Sequence, residues 1–245
     1  MSVVMTVKEG VFPGLPMSAP SLPDSIYFID ESINPETTLF GLVRVPQVDG
    51  WLTADAAWTR FLAELAGNRH LGFQPGAALH AVDLVAGRGG LLHHTPGIAP
   101  TKLQRTEAAG VVRRGLQALA DEPDIGVSAL CSRRASREAT YVALVELLNE
   151  RHAAAGSTCQ VVMDGNGTEK LLKAAHRQLP PARRHVVGDP MLVPARLIPL
   201  LQAADFVAHA AFQSVVRHPR REFMWGWFRE AFPQADALVD LGRLR

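Results

Sequence analysis

IYFIDES, residues 26–32, is the stretch on which the reading of this chain turns. Four apolar residues, Ile26, Tyr27, Phe28 and Ile29, read as a buried strand and run straight into Asp30 and Glu31. Ser32 and Asn34 are turn formers, so the strand is expected over 26–30 with Asp30 at its end. TLFGLVRV, residues 38–45, alternates well enough to be its hairpin partner. Asp30 is then either a turn residue or one arm of a cation site.

Beyond the hairpin, WLTADAAWTRFLAELA (51–66) carries Leu52, Ala56, Phe61, Leu62 and Leu65 at helical spacing. Residues 76–100 are glycine-rich and read as irregular, with GRGG at 87–90 and a His93-His94 pair. The pattern then alternates. Helices are expected over 102–120, 136–154, 168–178 and 196–213, and strands over 125–131, 159–164 and 184–188. Strands separated by helices of this length form a mostly parallel sheet, which the leading hairpin makes mixed. The fold class is therefore α/β.

Residues 1–24, with Pro13, Pro16, Pro20 and Pro23, read as a tail or arm, and 25–216 as the α/β domain. Residues 217–245 are different in character, with four arginines and five aromatic residues in RHPRREFMWGWFREAF, 217–232. This extension is expected to be helical. Its residues Phe223, Trp227 and Phe228 pack on the domain, or its cations and rings meet a protein partner or nucleic acid.

Bulk chemistry excludes several function classes. The net charge is +1, so no overall field draws the chain to nucleic acid. All but four of the 25 basic residues are arginine, the exceptions being Lys8, Lys102, Lys170 and Lys173. Cys131 and Cys159 are far apart and read as two buried free thiols of a cytoplasmic protein. Neither a membrane span nor a signal peptide is expected, since Lys8 and Glu9 interrupt the apolar start. No nucleophile elbow, phosphate-cradling loop or dinucleotide fingerprint is present.

Three aspartates stand where an acid is costly. Asp30 and Asp164 end strands, the second just before Gly165-Asn166-Gly167, and Asp205 lies in LLQAADFVAHAAF, a helix that is almost uncharged. Carboxyl ends of parallel strands gather at one edge, where ligands bind. Converging carboxylates repel each other, and a hard cation such as Mg2+ or Mn2+ relieves that repulsion. Each has a plainer alternative: turn formation for Asp30 and Asp164, and a pair with His209, one helical turn on, for Asp205. His80, with Asp83 three residues later, is a further candidate. Phosphate contacts are offered by Arg133, Arg134 and Arg137, or by Arg183 and Arg184.

In order and spacing these stretches resemble a bacterial and phage family known as domain-of-unknown-function family 3800. The matching pieces are YFIDES, ALHAVDLVAGRGG (78–90), VVMDG, and DPMLVPARLIPLLQAADFVA (189–208). The resemblance spans roughly 26–212 and implies a ribonuclease-H-like mixed sheet. It further implies a divalent-metal-dependent nuclease acting on DNA or RNA, with Asp30, Asp164 and Asp205 as metal ligands and His80 and Asp83 as auxiliary residues. A mobile-element or phage setting is implied too. One departure stands out. The family's glutamate before Leu-His is Ala78 here. Loss of that ligand leaves open a degenerate member that only binds nucleic acid or a protein.

Overall fold

The computed structural model describes residues 22–46, 48–68, 78–87, 102–233 and 238–241. Most of the expected N-terminal arm, the Arg88-Gly89-Gly90 run and His93-His94 lie outside these residues. The hairpin is formed by β1 (Ser25–Asn34) and β2 (Thr37–Pro46), in register from Ser25–Pro46 to Asn34–Thr37. β1 therefore runs four residues past Asp30, a correction to the expected end at 30. The turn is made by Asn34, whose Oδ1 accepts from Glu36 N at 2.9 Å and Thr37 N at 2.7 Å.

Three long helices follow the pattern read above: α1 (Val48–Gly67), α3 (Lys102–Ala120) and α4 (Arg137–Ala155). Ser136 caps α4 by accepting from Ala139 N, and Gly156 closes it with a left-handed φ of 62°. Between α1 and α3 the stretch expected to be irregular contains a six-residue helix, α2 (Ala81–Ala86). β3 (Gly126–Arg133), β4 (Cys159–Asp164), α5 (Lys170–Gln178) and α6 (Pro199–Val216) also match their expected places within a few residues.

Two segments differ from expectation. Residues 184–188 contribute only a single bridge, Cys159–Val186, because Asn149 Oδ1 of α4 takes the amides of His185 and Val186. The edge strand is instead β5 (Met191–Val193). In the C-terminal segment a 3-10 turn (Pro219–Met224) and α7 (Trp227–Ala231) are followed by a strand, β6 (Leu238–Asp240). The extension is thus not purely helical, and it completes the sheet. Phe228 is fully buried and Trp227 nearly so, whereas Phe223 is 52% exposed. Burying Phe228 contributes ~2–3 kcal/mol.

The sheet has the order β5-β4-β1-β2-β3-β6. β2 alone runs against the rest, since β1–β4, β4–β5 and β3–β6 are parallel and β2 is antiparallel to both neighbours. Alternation along β1 divides the core. Phe28 faces the layer of α1, α3 and α6, while Tyr27 and Ile29 face α4 and α5. Cys131 and Cys159 are buried free thiols, one on each side. No described helix is long and apolar enough to cross a membrane.

α6, fully buried over most of its length, lies directly on the hairpin. The close approach depends on Gly41, because a Cβ there would fall within 2.6 Å of Ala208 Cα. Gly41→Ala is expected to lower stability by about 3 kcal/mol, since backbone must move to admit the methyl. Urea unfolding of the variant against wild type measures this, and an unchanged midpoint would show that α6 can lift without penalty.

Candidate metal centre

Gly41 is the cross-strand partner of Asp30, and Ala208 is one turn from Asp205 on α6. The contact that seats the helix on the hairpin therefore brings these two acids to the same level. β4 supplies the third. Its register with β1 runs to Ile29–Met163, so Asp164 comes next beside Asp30. Asp30 alternates with Ile29, and Asp164 with Met163, both of which face α4 and α5. The two aspartates hence share the α6 face of adjacent strands, which lie ~4.8 Å apart.

One oxygen of each carboxylate is held by a backbone amide. Asp30 Oδ1 accepts from Glu31 N at 2.8 Å, Asp164 Oδ1 from Ala195 N at 2.7 Å, and Asp205 Oδ2 from Ala81 N at 2.6 Å. The last bond ties α6 to the first turn of α2. Beside it Gln202 Oε1 accepts from Leu79 N at 3.0 Å, so Gln202 and Asp205 together clamp residues 79–81. The sequence held no sign of this clamp beyond the shared helix face of the two residues. It sets His80 Nδ1 4.0 Å from Asp205 Oδ2, with the imidazole half-exposed. Asp83 lies close enough for its charge to act on Asp205. Ala78 immediately precedes the clamp.

His209 is not the partner of Asp205. It is buried, its Nε2 has no hydrogen-bond partner, and burial with the nearby Arg221 pushes it down to about 4. The plainer explanation of Asp205 as half of an aspartate–histidine pair is thereby corrected.

The electrostatics of the two inner acids follow from crowding. Burial, then the charge of Asp205, pushes Asp30 up to about 8, and Glu31 and Asp164 add to the rise. Burial also pushes Asp205 up to about 6, with Asp83 and Asp164 adding, while the Ala81 amide and His80 oppose the shift. Both acids are therefore harder to ionise than a free aspartate, Asp30 the more so. Every donor here is a carboxylate oxygen, the ligand type a hard divalent cation takes. Among the described residues no three His, Cys, Asp or Glu side chains already form a coordinating group. A cation would be held by Asp30 and Asp205, with Asp164 one strand away.

The arginines divide. Arg137 does not stand free for phosphate, since its Nε and Nη2 bind Glu31 Oε1 at 2.7 and 2.6 Å on the α4 side of β1. Glu31 thus points away from Asp30, as alternation requires. Arg133 and Arg134 are exposed at the carboxyl end of β3, beside the hairpin turn, and line a cavity of about 430 Å³. Arg183 and Arg184 lie near Cys159, at the far end of β4 from Asp164. There Arg184 Nη2 donates to Leu179 O at 2.9 Å, closing α5.

The raised acids make a pH-dependent signature. Between the ordinary value of 3.8 and about 8, folded Asp30 keeps a proton that the unfolded chain has released. Its contribution is fully present below about pH 4 and is lost as pH rises through about 8. Without divalent cations, Asp30→Asn is expected to melt ~3 °C or more above wild type at pH 8 and level with it at pH 4. Equal melting temperatures at both pH values would mean that Asp30 ionises freely. No family model matches this chain, and neither a curated protein nor a solved structure matches it.

Proposed function

We propose that this chain is a divalent-metal-dependent nuclease, or a related phosphoryl-transfer enzyme, of ribonuclease-H-like type that acts on nucleic acid. The observation that carries the reading is the placement of Asp30 and Asp205 at one level of the sheet–helix junction, with Asp164 beside them on the same face. The mixed six-stranded sheet with flanking helices is compatible with the ribonuclease-H-like fold of this reading.

A Mg2+ or Mn2+ ion in such a site polarises a phosphodiester and lowers the pKa of bound water. The chain's own part is to hold acceptor oxygens in place before substrate arrives. The three amide bonds to Glu31, Ala195 and Ala81 do this, fixing each carboxylate through one oxygen and leaving the other for a ligand. His80, half-exposed and beside Asp205, is placed to orient a water or a substrate oxygen. Arg133 and Arg134, on the same edge of the sheet, are placed to meet the nucleic-acid backbone.

A second reading rests on Ala78 and on the lack of a ready three-ligand group among the described residues. In it the chain has kept nucleic-acid or protein binding and lost cleavage, with residues 217–245 as the contact for a protein partner. Cleavage assays on labelled single- and double-stranded DNA, RNA and hybrid, with Mn2+ and with chelator, separate the two. The nuclease reading expects Mn2+-dependent cleavage that falls about a hundredfold or more in Asp30→Asn and Asp205→Asn. Ala78→Glu, which restores a carboxylate beside the clamp, is expected to raise it. Cleavage that survives both asparagine variants would sink the assignment. Binding without cleavage in any variant would favour the second reading.

A further inference from the structure

A cavity of about 590 Å³ opens near the opposite edge of the sheet from the carboxylates, where β1 and β3 begin and β2 ends. Its size falls within the range of small-molecule sites, ~300–1,000 Å³. The polar wall is made by Tyr27, Arg44, Arg151 and Ser128, and Ile125 and Phe232 belong to its apolar wall. Tyr27 and Arg44 are cross-strand partners, and Arg44 in turn faces Gly126 of β3. With no side chain at Gly126, the stem of Arg44 lies over β3, its Cδ 3.6 Å from where a Cβ would stand.

Arg44 is held by one bond, Nε to Ser25 Oγ at 3.1 Å. Among the described residues neither Arg44 nor Arg151 has a carboxylate partner. The acid on the cavity wall, Glu122, is 3.9 Å from Arg60 instead. Both guanidinium charges act on one point, the Tyr27 hydroxyl: burial pushes the phenol up, and Arg44 and Arg151 pull it back. That hydroxyl lies 3.1 Å from His152 Nε2, a ring whose pKa burial and the same two arginines lower against the opposing charge of Asp24. Two guanidinium groups without a carboxylate partner among the described residues thus line one cavity together with hydroxyl groups and an aromatic ring.

We propose that this cavity binds a nucleoside phosphate, with the phosphate between Arg44 and Arg151 and the base against Phe232 and Ile125. Guanidinium forks match phosphate oxygens in geometry and charge. A partly exposed phenylalanine gives the flat base a stacking face. The hydroxyl of Ser128 is then left to the sugar or to the base edge. The site lies at the opposite end of the strands from the carboxylates, so it stands whether or not the chain cuts nucleic acid.

Calorimetric titration of the full chain in the presence of a chelator tests the proposal. The probes are the four ribonucleoside monophosphates, the matching nucleosides and inorganic phosphate. At least one nucleotide is expected to bind about tenfold or more tighter than its nucleoside or phosphate alone. Arg44→Gln and Arg151→Gln are each expected to weaken it about tenfold or more at unchanged far-ultraviolet dichroism. Asp30→Asn is expected to leave nucleotide binding untouched. Should an arginine variant not fold, Phe232→Ala replaces it and must weaken the nucleotide more than phosphate. The proposal is overturned if no nucleotide binds saturably into the millimolar range, or if phosphate binds as well as the nucleotides. Binding unmoved by the arginine variants, or abolished by Asp30→Asn, overturns it too.

Discussion

The contact between Gly41 and the backbone of Ala208 is the constraint on which the site depends. A near-apolar helix can settle on a hairpin in many ways, because dispersion and burial are not directional. A missing side chain at one strand position removes that freedom by letting backbone meet backbone. Once α6 is pinned there, Asp205 is set above Asp30 and cannot retreat to water. The amides of Glu31, Ala81 and Ala195 then fix three carboxylates through one oxygen each. Stability is given up at this junction, since burial opposes ionisation of Asp30 and Asp205 and the charge of Asp205 further opposes that of Asp30. Crowded, partly buried acids of this kind mark the junction as a candidate functional site.

The other face of β1 carries acids and rings with complete partners. Glu31 is bound by Arg137. Tyr141 Oη lies 2.8 Å from His176 Nε2, whose Nδ1 donates to Gly188 O at 3.0 Å. Tyr27 Oη meets His152, which in turn meets Ser157 Oγ at 2.8 Å. The first tyrosine–histidine pair joins α4 to α5 and the second fastens α4 to β1, with their polar atoms satisfied as buried groups require. Adjacent residues of one strand thus sit in opposite regimes, Glu31 paired and Asp30 crowded. The difference lies in what each face meets, not in the residue type.

The architecture was legible where elements are long. α3 and β4 fall at their expected bounds because nineteen residues of helical period, or a largely apolar six-residue run ending in Asp164, leave little choice. Short elements were not. α2 has six residues and β5 and β6 three each, too few for a period to show, and all three owe their form to tertiary neighbours. The end of β1 was misplaced because Asp30, Glu31 and Ser32 have the composition of a turn. They stay extended since β2 pairs with them while β4 stops level with Asp30. The three aspartates stand out in the sequence as acids in apolar surroundings, and their reading as ligands comes with the family resemblance. The clamp by Gln202 and Asp205 on residues 79–81 does not stand out, because its acceptors and donors lie more than 120 positions apart and its donors are backbone amides. The expected histidine partner of Asp205 failed for the same reason, helix spacing being only a local rule.

The central claim is that Asp30 and Asp205 form a cation site. Calorimetric titration of the full chain with Mn2+ near pH 8, beside Asp30→Asn and Asp205→Asn, tests it most directly. The account predicts saturable binding to wild type with release of protons, as Asp30 gives up the one it holds. It predicts binding weakened about tenfold or more in each variant. Absence of Mn2+ binding to wild type, or affinity unchanged in both variants, would contradict it.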